Sequence, residues 1–322
     1  MRHRGTLKLA LKRGAMLTAA NWQVAVIQFI ADTTFKLLLA VPVVGGAILV
    51  AVVVRGDVGE VLQGGLRQTI ASVAGGLASE PAALASFLFA FVLVLAGGSA
   101  FMFLVKGGTV CILADAENAA GPIEREPFDL DRFEEAACFS IIRFMGGART
   151  LFGRYLLLGV ALAAAYLVSG LVYLAVLYVG YRLGDDGAFL IGWTMVAAIL
   201  SSALIVWITI VNLLYLLTQI VIAVSGLGLR SSIREMLRFL SSELWDVVGV
   251  FSVTLVLVVV ATGASLGATA GLGLIAFAPL AGLAVLPLQI MAWLLRSLAF
   301  QYLGLTALEA YLHLYKTRKK AS

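Results

Sequence analysis

Gln28, Asp32 and Lys36 recur at i, i+4 and i+8 inside the apolar run QFIADTTFKLLLAVPVVGG, so on a helix they form one stripe. Aspartate and lysine four residues apart can neutralise each other across adjacent turns. Three readings are open. In the first, the stripe lines a hydrated cavity, where Lys36 meets a lipid phosphate or a substrate carboxylate and Asp32 sets its charge state. In the second, the charges form a buried structural pair that fixes helix register together with Gln28. In the third, LLLAVPVVGGAILVAVVV, residues 37–54, crosses the membrane alone and leaves both charges at its interface.

Polar groups placed in hydrocarbon cost kilocalories unless they are paired or hydrated, so other polar residues in apolar runs are equally informative. Asn212, Tyr215 and Gln219 make a second stripe, and Gln289 and Arg296 share a face with Trp293 between them. Lys106 lies near one end of its run, as Arg296 does in another. Facing inward, these stripes would line one groove. The candidate substrate-binding residues are therefore Gln28, Asp32, Lys36, Lys106, Asn212, Gln219, Gln289 and Arg296. In GASLGATAG, Gly263, Gly267 and Gly271 form a small-xxx-small stripe suited to close helix packing, within the protein or across a homodimer.

Catalytic chemistry finds little footing. The only histidines, His3 and His313, lie near the chain ends, which argues against a His-based metal site or a Ser/His dyad in the membrane core. GYRLGDDG, residues 180–187, departs from the Gly-x-Gly-Asp pattern of intramembrane aspartyl proteases, and Asp185 and Asp186 read as a turn between spans. No glycine-rich stretch ends in Gly-Lys-Ser/Thr. The acidic run DAENAAGPIEREPFDLDRFEEA lacks nearby histidine and calcium-loop spacing, so it reads as solvated surface whose carboxylates also suit a helix N-terminus. The expectation is a non-enzyme with no metal and no cofactor.

The elements that position these groups follow from composition. Of 322 residues, 61% are hydrophobic and 13% charged, against about 25% charged in soluble domains. This is the profile of a polytopic membrane protein. Six regions reach the roughly 20 apolar residues a transmembrane helix needs: 23–54, 82–113, 153–181, 189–225, 247–270 and 275–311. Their excess length implies tilt, extension past the bilayer, or kinks at Pro42, Pro279 and Pro287. Lysine and arginine collect at both chain ends and in the 114–152 and 226–246 loops, which by the positive-inside rule puts both termini in the cytoplasm. Cys111 and Cys138 then fall on the reducing side, where a structural disulfide is not expected. Lys8, Lys12 and Arg13 interrupt any apolar leader, so the N-terminus is expected to be retained. The net charge of +5 reads as membrane-surface charge, without the aromatic and basic interleaving that nucleic acid would require.

A threefold repeat emerges from the loops. ML-TAA-NW, FM-GGART-LF and FL-SSE-LW precede the odd-numbered spans, and each closes an amphipathic segment on an aromatic residue. In the third copy Ile233, Leu237 and Leu240 share a face apart from Arg234, Glu235 and Arg238. The predicted fold is all-α: a single membrane domain over 1–322 with six transmembrane helices as three hairpins, each preceded by a cytoplasmic elbow helix. The repeats cover about 7–116, 131–226 and 231–315. This layout, with its NW and LW endings, resembles the six-helix membrane domain accompanying bacterial glycerophosphodiester phosphodiesterases and related bacterial inner-membrane families. The resemblance implies a membrane architecture without the separate soluble barrel that carries the phosphodiesterase chemistry. Segment 56–81 offers LRQTIASVAGGL as either a short interfacial lid helix or a solvated loop. The expected function is to bind or move an amphiphilic or anionic small molecule in the bacterial inner membrane. The expected partners are membrane lipids, with a scaffold for other membrane subunits as the alternative.

Overall fold

The computed structural model describes residues 2–53, 81–124, 129–183, 187–276 and 281–321. The expected lid helix and the Asp185–Asp186 turn lie outside them. Among the described residues the chain is helical, without strands: α1 Arg2–Ala20, α2 Trp22–Val53, α3 Pro81–Ala119, α4 Leu130–Glu135, α5 Ile141–Leu183, α6 Gly187–Ser225, α7 Leu229–Ser242, α8 Leu244–Ala276 and α9 Ala281–Ala321. Five of these are long and apolar enough to cross a membrane, over Trp22–Gly46, Leu84–Ala119, Ile141–Arg182, Gly192–Ser225 and Leu244–Gly271. The sixth expected region falls mainly on α9, which is 41 residues long and runs through Pro287. Pro42 likewise lies inside α2, and Pro279 is outside the described residues.

At 1.5 Å per residue the 43 residues of α5 extend about 65 Å, twice the roughly 30 Å hydrocarbon core of a bilayer. Burial shows how the excess is used. In α5 the large buried side chains are Phe144, Leu151, Tyr155 and Leu158, all in its first half. In α6 they run from Tyr215 to Ile222, in α8 they stop at Val250, and in α9 they gather between Leu305 and Tyr315. The other stretches, 160–182, 192–214, 251–271 and 287–304, hold almost no buried residue and expose Leu167, Ile199, Val260 and Leu295. Each is roughly the 20 residues a span requires. The long helices thus have an apolar part suited to lipid and an end that packs against protein.

The chain divides into two compact units, Ile27–Val105 and the remainder, Met1–Val26 with Lys106–Ser322. Within the smaller unit α2 and α3 run antiparallel, with Gly98 against the Phe35 ring and Gly46 against the Phe87 ring. Missing side chains at these glycines let an aromatic ring fill the space between the helices.

In the larger unit the packed ends assemble around α1. Gly14 brings its backbone so close to α9 that a β-carbon there would stand 2.5 Å from the Thr306 carbonyl oxygen. Gly107 and Gly108 of α3 seat Ala148 and Phe144 of α5, and Gly147 of α5 seats Cys111. α1 stops at Asn21, whose buried amide donates to the carbonyls of Leu17 (3.1 Å) and Ala136 (2.8 Å) and so ties the break to the end of α4. α6 stops at Gly226, which adopts a φ of 64° and donates its N–H to the Ile222 carbonyl, the usual left-handed helix stop.

The segments before the odd-numbered spans are not alike. The first and third are separate helices, α1 and α7, that break at Asn21 and Glu243 just ahead of Trp22 and Trp245. The second is not separate: α5 is continuous through FM-GGART-LF, and only the six-residue α4 precedes it. Its Gly147 and Ala148 pack against Cys111 and Gly107 of α3, and the helix runs through without a corner. α7 also differs from its sequence reading. It docks through Ser232, Met236 and Phe239, with the Phe239 ring edge-on to Tyr315 at 5.4 Å, while Ile233 and Leu237 face outward.

Candidate functional site

The stripe on α2 forms the expected ion pair, with Lys36 Nζ 2.6 Å from Asp32 Oδ2. The Lys36 side chain is 64% exposed and that of Asp32 22%, so the lysine is not enclosed. Gln28 is half-buried on the same helix.

The α6 stripe sits in the second hairpin, where polar side chains staple α5 to α6 along their length. Tyr155 donates to the Gln219 carbonyl oxygen (3.0 Å), Tyr166 to Asn212 Oδ1, and Trp207 to Ser169 Oγ (2.9 Å). Tyr173 and Ser201 share a further bond at 2.7 Å. Paired positions descend in one helix as they ascend in the other, which fixes an antiparallel register. Such bonds are worth about 0.6 kcal/mol each between helices in a membrane. Asn212 was legible in the sequence as a polar residue in an apolar run, whereas at Gln219 the bond uses the main-chain carbonyl and the side-chain Nε2 finds no hydrogen-bond partner among the described residues. Tyr166, Ser169 and Tyr173 were not singled out there, although their spacing down one face of α5 was a usable signal.

On its other side Asn212 borders a groove of about 290 Å³ between α6, α8 and α9. The walls are mainly apolar, including Leu216, Phe251, Leu255 and Tyr311, with Thr209, Thr254 and Asn212 as polar points. Asn212 Nδ2 donates to the Ile208 carbonyl at 3.0 Å. Gln289 and Arg296 do not join this groove; Arg296 is exposed and lies over the Phe300 ring at 5.6 Å. Lys106 lies over the Tyr215 ring, 5.2 Å from its centroid. Among the described residues, no atom comes within 4 Å of a β-carbon built at Gly263, Gly267 or Gly271, so this stripe is open.

The strongest polar cluster is one the sequence reading missed. Arg13 Nε meets Glu117 Oε2 at 2.6 Å, and its Nη1 meets Glu124 Oε2 at 2.8 Å. Arg13 also donates to the carbonyls of Gly121 (2.8 Å) and Ala120 (3.1 Å), closing the C-terminus of α3. A cation there meets carbonyls that no longer have intrahelical partners, as the helix dipole favours. The other Glu117 oxygen pairs with His313 Nδ1 at 2.8 Å, and Lys316 Nζ reaches the Ala114 carbonyl (2.7 Å) and Asn118 Oδ1 (2.9 Å). Arg13 of α1, Glu117 of α3 and His313 and Lys316 of α9 thereby join helices more than 100 positions apart in sequence.

Burial alone would press the Arg13 guanidinium down, but Glu117 and Glu124 more than offset it and hold it above its ordinary value. For Lys316 burial wins over the pull of Glu309, Glu117 and Asp115, and its ammonium lies below the usual lysine range. Glu309 is wholly buried on α9, and neither carboxyl oxygen has a hydrogen-bond partner among the described residues. Cys111 and Cys138 are both free thiols. Among the described residues, no group of three or more His, Cys, Asp and Glu is placed to hold a metal ion. Compared with protein-family models, curated proteins and solved structures, the chain finds no match in any of the three.

Proposed function

We propose that this chain is a non-enzymatic, six-span inner-membrane protein that binds or moves an amphiphilic small molecule, with its packed end and both termini in the cytoplasm. The sixth span is α9, whose apolar side chains Leu288, Ile290, Met291 and Leu295 are exposed as those of the other spans are. The orientation rests on the lysines and arginines of α1, α7 and the end of α9. On this reading α7 lies in the interface, its outward Ile233 and Leu237 in the lipid boundary and Arg230, Arg234 and Arg238 among headgroups. Trp245, 77% exposed, anchors the same level.

The observation that carries the functional reading is the groove beside Asn212. Its volume of about 290 Å³ is close to the lower end of ligand pockets, and an apolar wall with few polar points suits an acyl chain carrying one polar group. Purified protein should retain such an amphiphile at near-unit stoichiometry, identified by mass spectrometry of the extracted lipids. Leu255→Trp fills the groove and should abolish retention while the fold persists. Equal retention by a folded Leu255→Trp protein overturns the reading.

A scaffold role is the second reading, supported by the open Gly263, Gly267 and Gly271 stripe. Isolation at fixed stoichiometry with another membrane subunit, lost on Gly267→Leu, would favour it over the first.

A further inference from the structure

A cleft of about 660 Å³ opens at the packed end, where α3, α6 and α9 finish and α5 begins. Its walls carry Lys316, Lys319 and Lys320 from α9, Asp115 and Asn118 from α3, and Thr150 from α5. Among the described lining residues three lysines stand against one aspartate, a formal excess of two positive charges. Lys316 Nζ donates to the Ala114 main-chain carbonyl (2.7 Å) and to Asn118 Oδ1 (2.9 Å). These use two of the three donors of the Lys316 ammonium. Asn118 gives its oxygen to Lys316, which leaves its amide N–H groups as donors. Lys319 and Lys320 are exposed. The Thr150 hydroxyl donates to the Gly146 carbonyl at 2.9 Å and so offers no donor to a ligand.

We propose that this cleft binds a phosphate group, held by Lys316, Lys319 and Lys320. A charge excess of two matches a phosphate dianion. Lysine is an established phosphate binder that acts as a compact point charge, and lysines are the cations that line the cleft among the described residues. The volume lies within the roughly 300–1,000 Å³ of small-molecule sites. Leu151 and Val224 add an apolar wall, so the phosphate can belong to a lipid headgroup or to a soluble ester. The site lies apart from the Asn212 groove, shares no lining residue with it, and stands or falls independently of that reading.

Cys111 lines the cleft and serves as its reporter. In a Cys138→Ala background it is the only thiol, and its alkylation by N-ethylmaleimide is followed in phosphatidylcholine nanodiscs. At ten times the dissociation constant, inorganic phosphate should slow alkylation roughly tenfold relative to chloride at equal ionic strength, as occupancy of the site requires. Lys319→Gln with Lys320→Gln, both exposed positions, should remove that protection. Protection by inorganic phosphate identifies a soluble phosphate ligand. Protection that appears only when phosphatidic acid is added to the discs identifies a lipid headgroup. No protection from either, equal protection in the lysine variant, or a Cys111 that fails to react even in neutral discs each overturns the proposal.

Discussion

Replacing Arg13 with Met tests whether its ion pairs hold α1 against α3 and α9. The Arg13 and Glu117 side chains are each 7% exposed and that of Glu124 is 13%, so solvent screens these pairs little. Removing one member of a buried pair costs about 3–5 kcal/mol because the other charge stays buried without compensation. His313 still reaches Glu117 in the variant, which puts the expected loss near the lower end, about 3 kcal/mol. The Ala120 and Gly121 carbonyls also lose the Arg13 donor, though Gly121 keeps the Ile123 N–H. Glu117→Gln should cost less, because Arg13 keeps Glu124 and the carbonyls. The informative measurement is the double-mutant cycle, read by unfolding titration in mixed micelles with tryptophan fluorescence. Arg13→Met with Glu117→Gln should be less destabilising than the two single losses added together, by about 1 kcal/mol or more. Release of α1 should accompany the Arg13 loss and show as faster tryptic cleavage after Lys8 and Lys12. Additivity within about 0.5 kcal/mol would refute the coupling.

Gly14→Ala should be destabilising by about 1–3 kcal/mol because its β-carbon would meet α9 backbone, whereas Gly146→Ala, which meets nothing within 4 Å, should be neutral or up to about 1 kcal/mol stabilising. Thermal melts of the two proteins in one detergent make the comparison. Tyr166→Phe and Tyr173→Phe should each cost about 0.6 kcal/mol by loosening the α5–α6 hairpin, detectable as faster hydrogen exchange confined to those helices. Glu309→Met, which replaces a wholly buried carboxyl group without a hydrogen-bond partner among the described residues, should raise stability by about 1 kcal/mol or more in the same titration; a loss would show that Glu309 holds something the fold requires. Lys316 supplies a pH test. Its value is lower folded than unfolded, so between the two the unfolded chain binds more protons and stability rises with pH. Relative to Lys316→Met, the native protein should therefore gain stability as pH climbs through the alkaline window just below the ordinary lysine value.

Five of the six apolar runs read from the sequence fall on helices long and apolar enough to cross a membrane, because the roughly 20-residue requirement of a bilayer is a property of consecutive residues. The i,i+4 contact of Asp32 with Lys36 was likewise local and therefore legible. Asn212 and Gln219 stood out because a polar group in hydrocarbon is costly wherever it points.

What only the tertiary structure decided is how the ends of those helices pack. Arg13, Glu117, Glu124 and His313 looked like solvated termini and loop charge, since their partners lie more than 100 positions away and nothing local marks them. The second amphipathic segment merged into α5 because Gly107 and Gly108 of α3 admitted its side chains, a fit that belongs to two helices at once. The open face of the Gly263–Gly271 stripe and the convergence of three lysines on one cleft have the same origin. Periodicity assigns a residue to a face, but which face is covered depends on elements that are distant in sequence and adjacent only after folding.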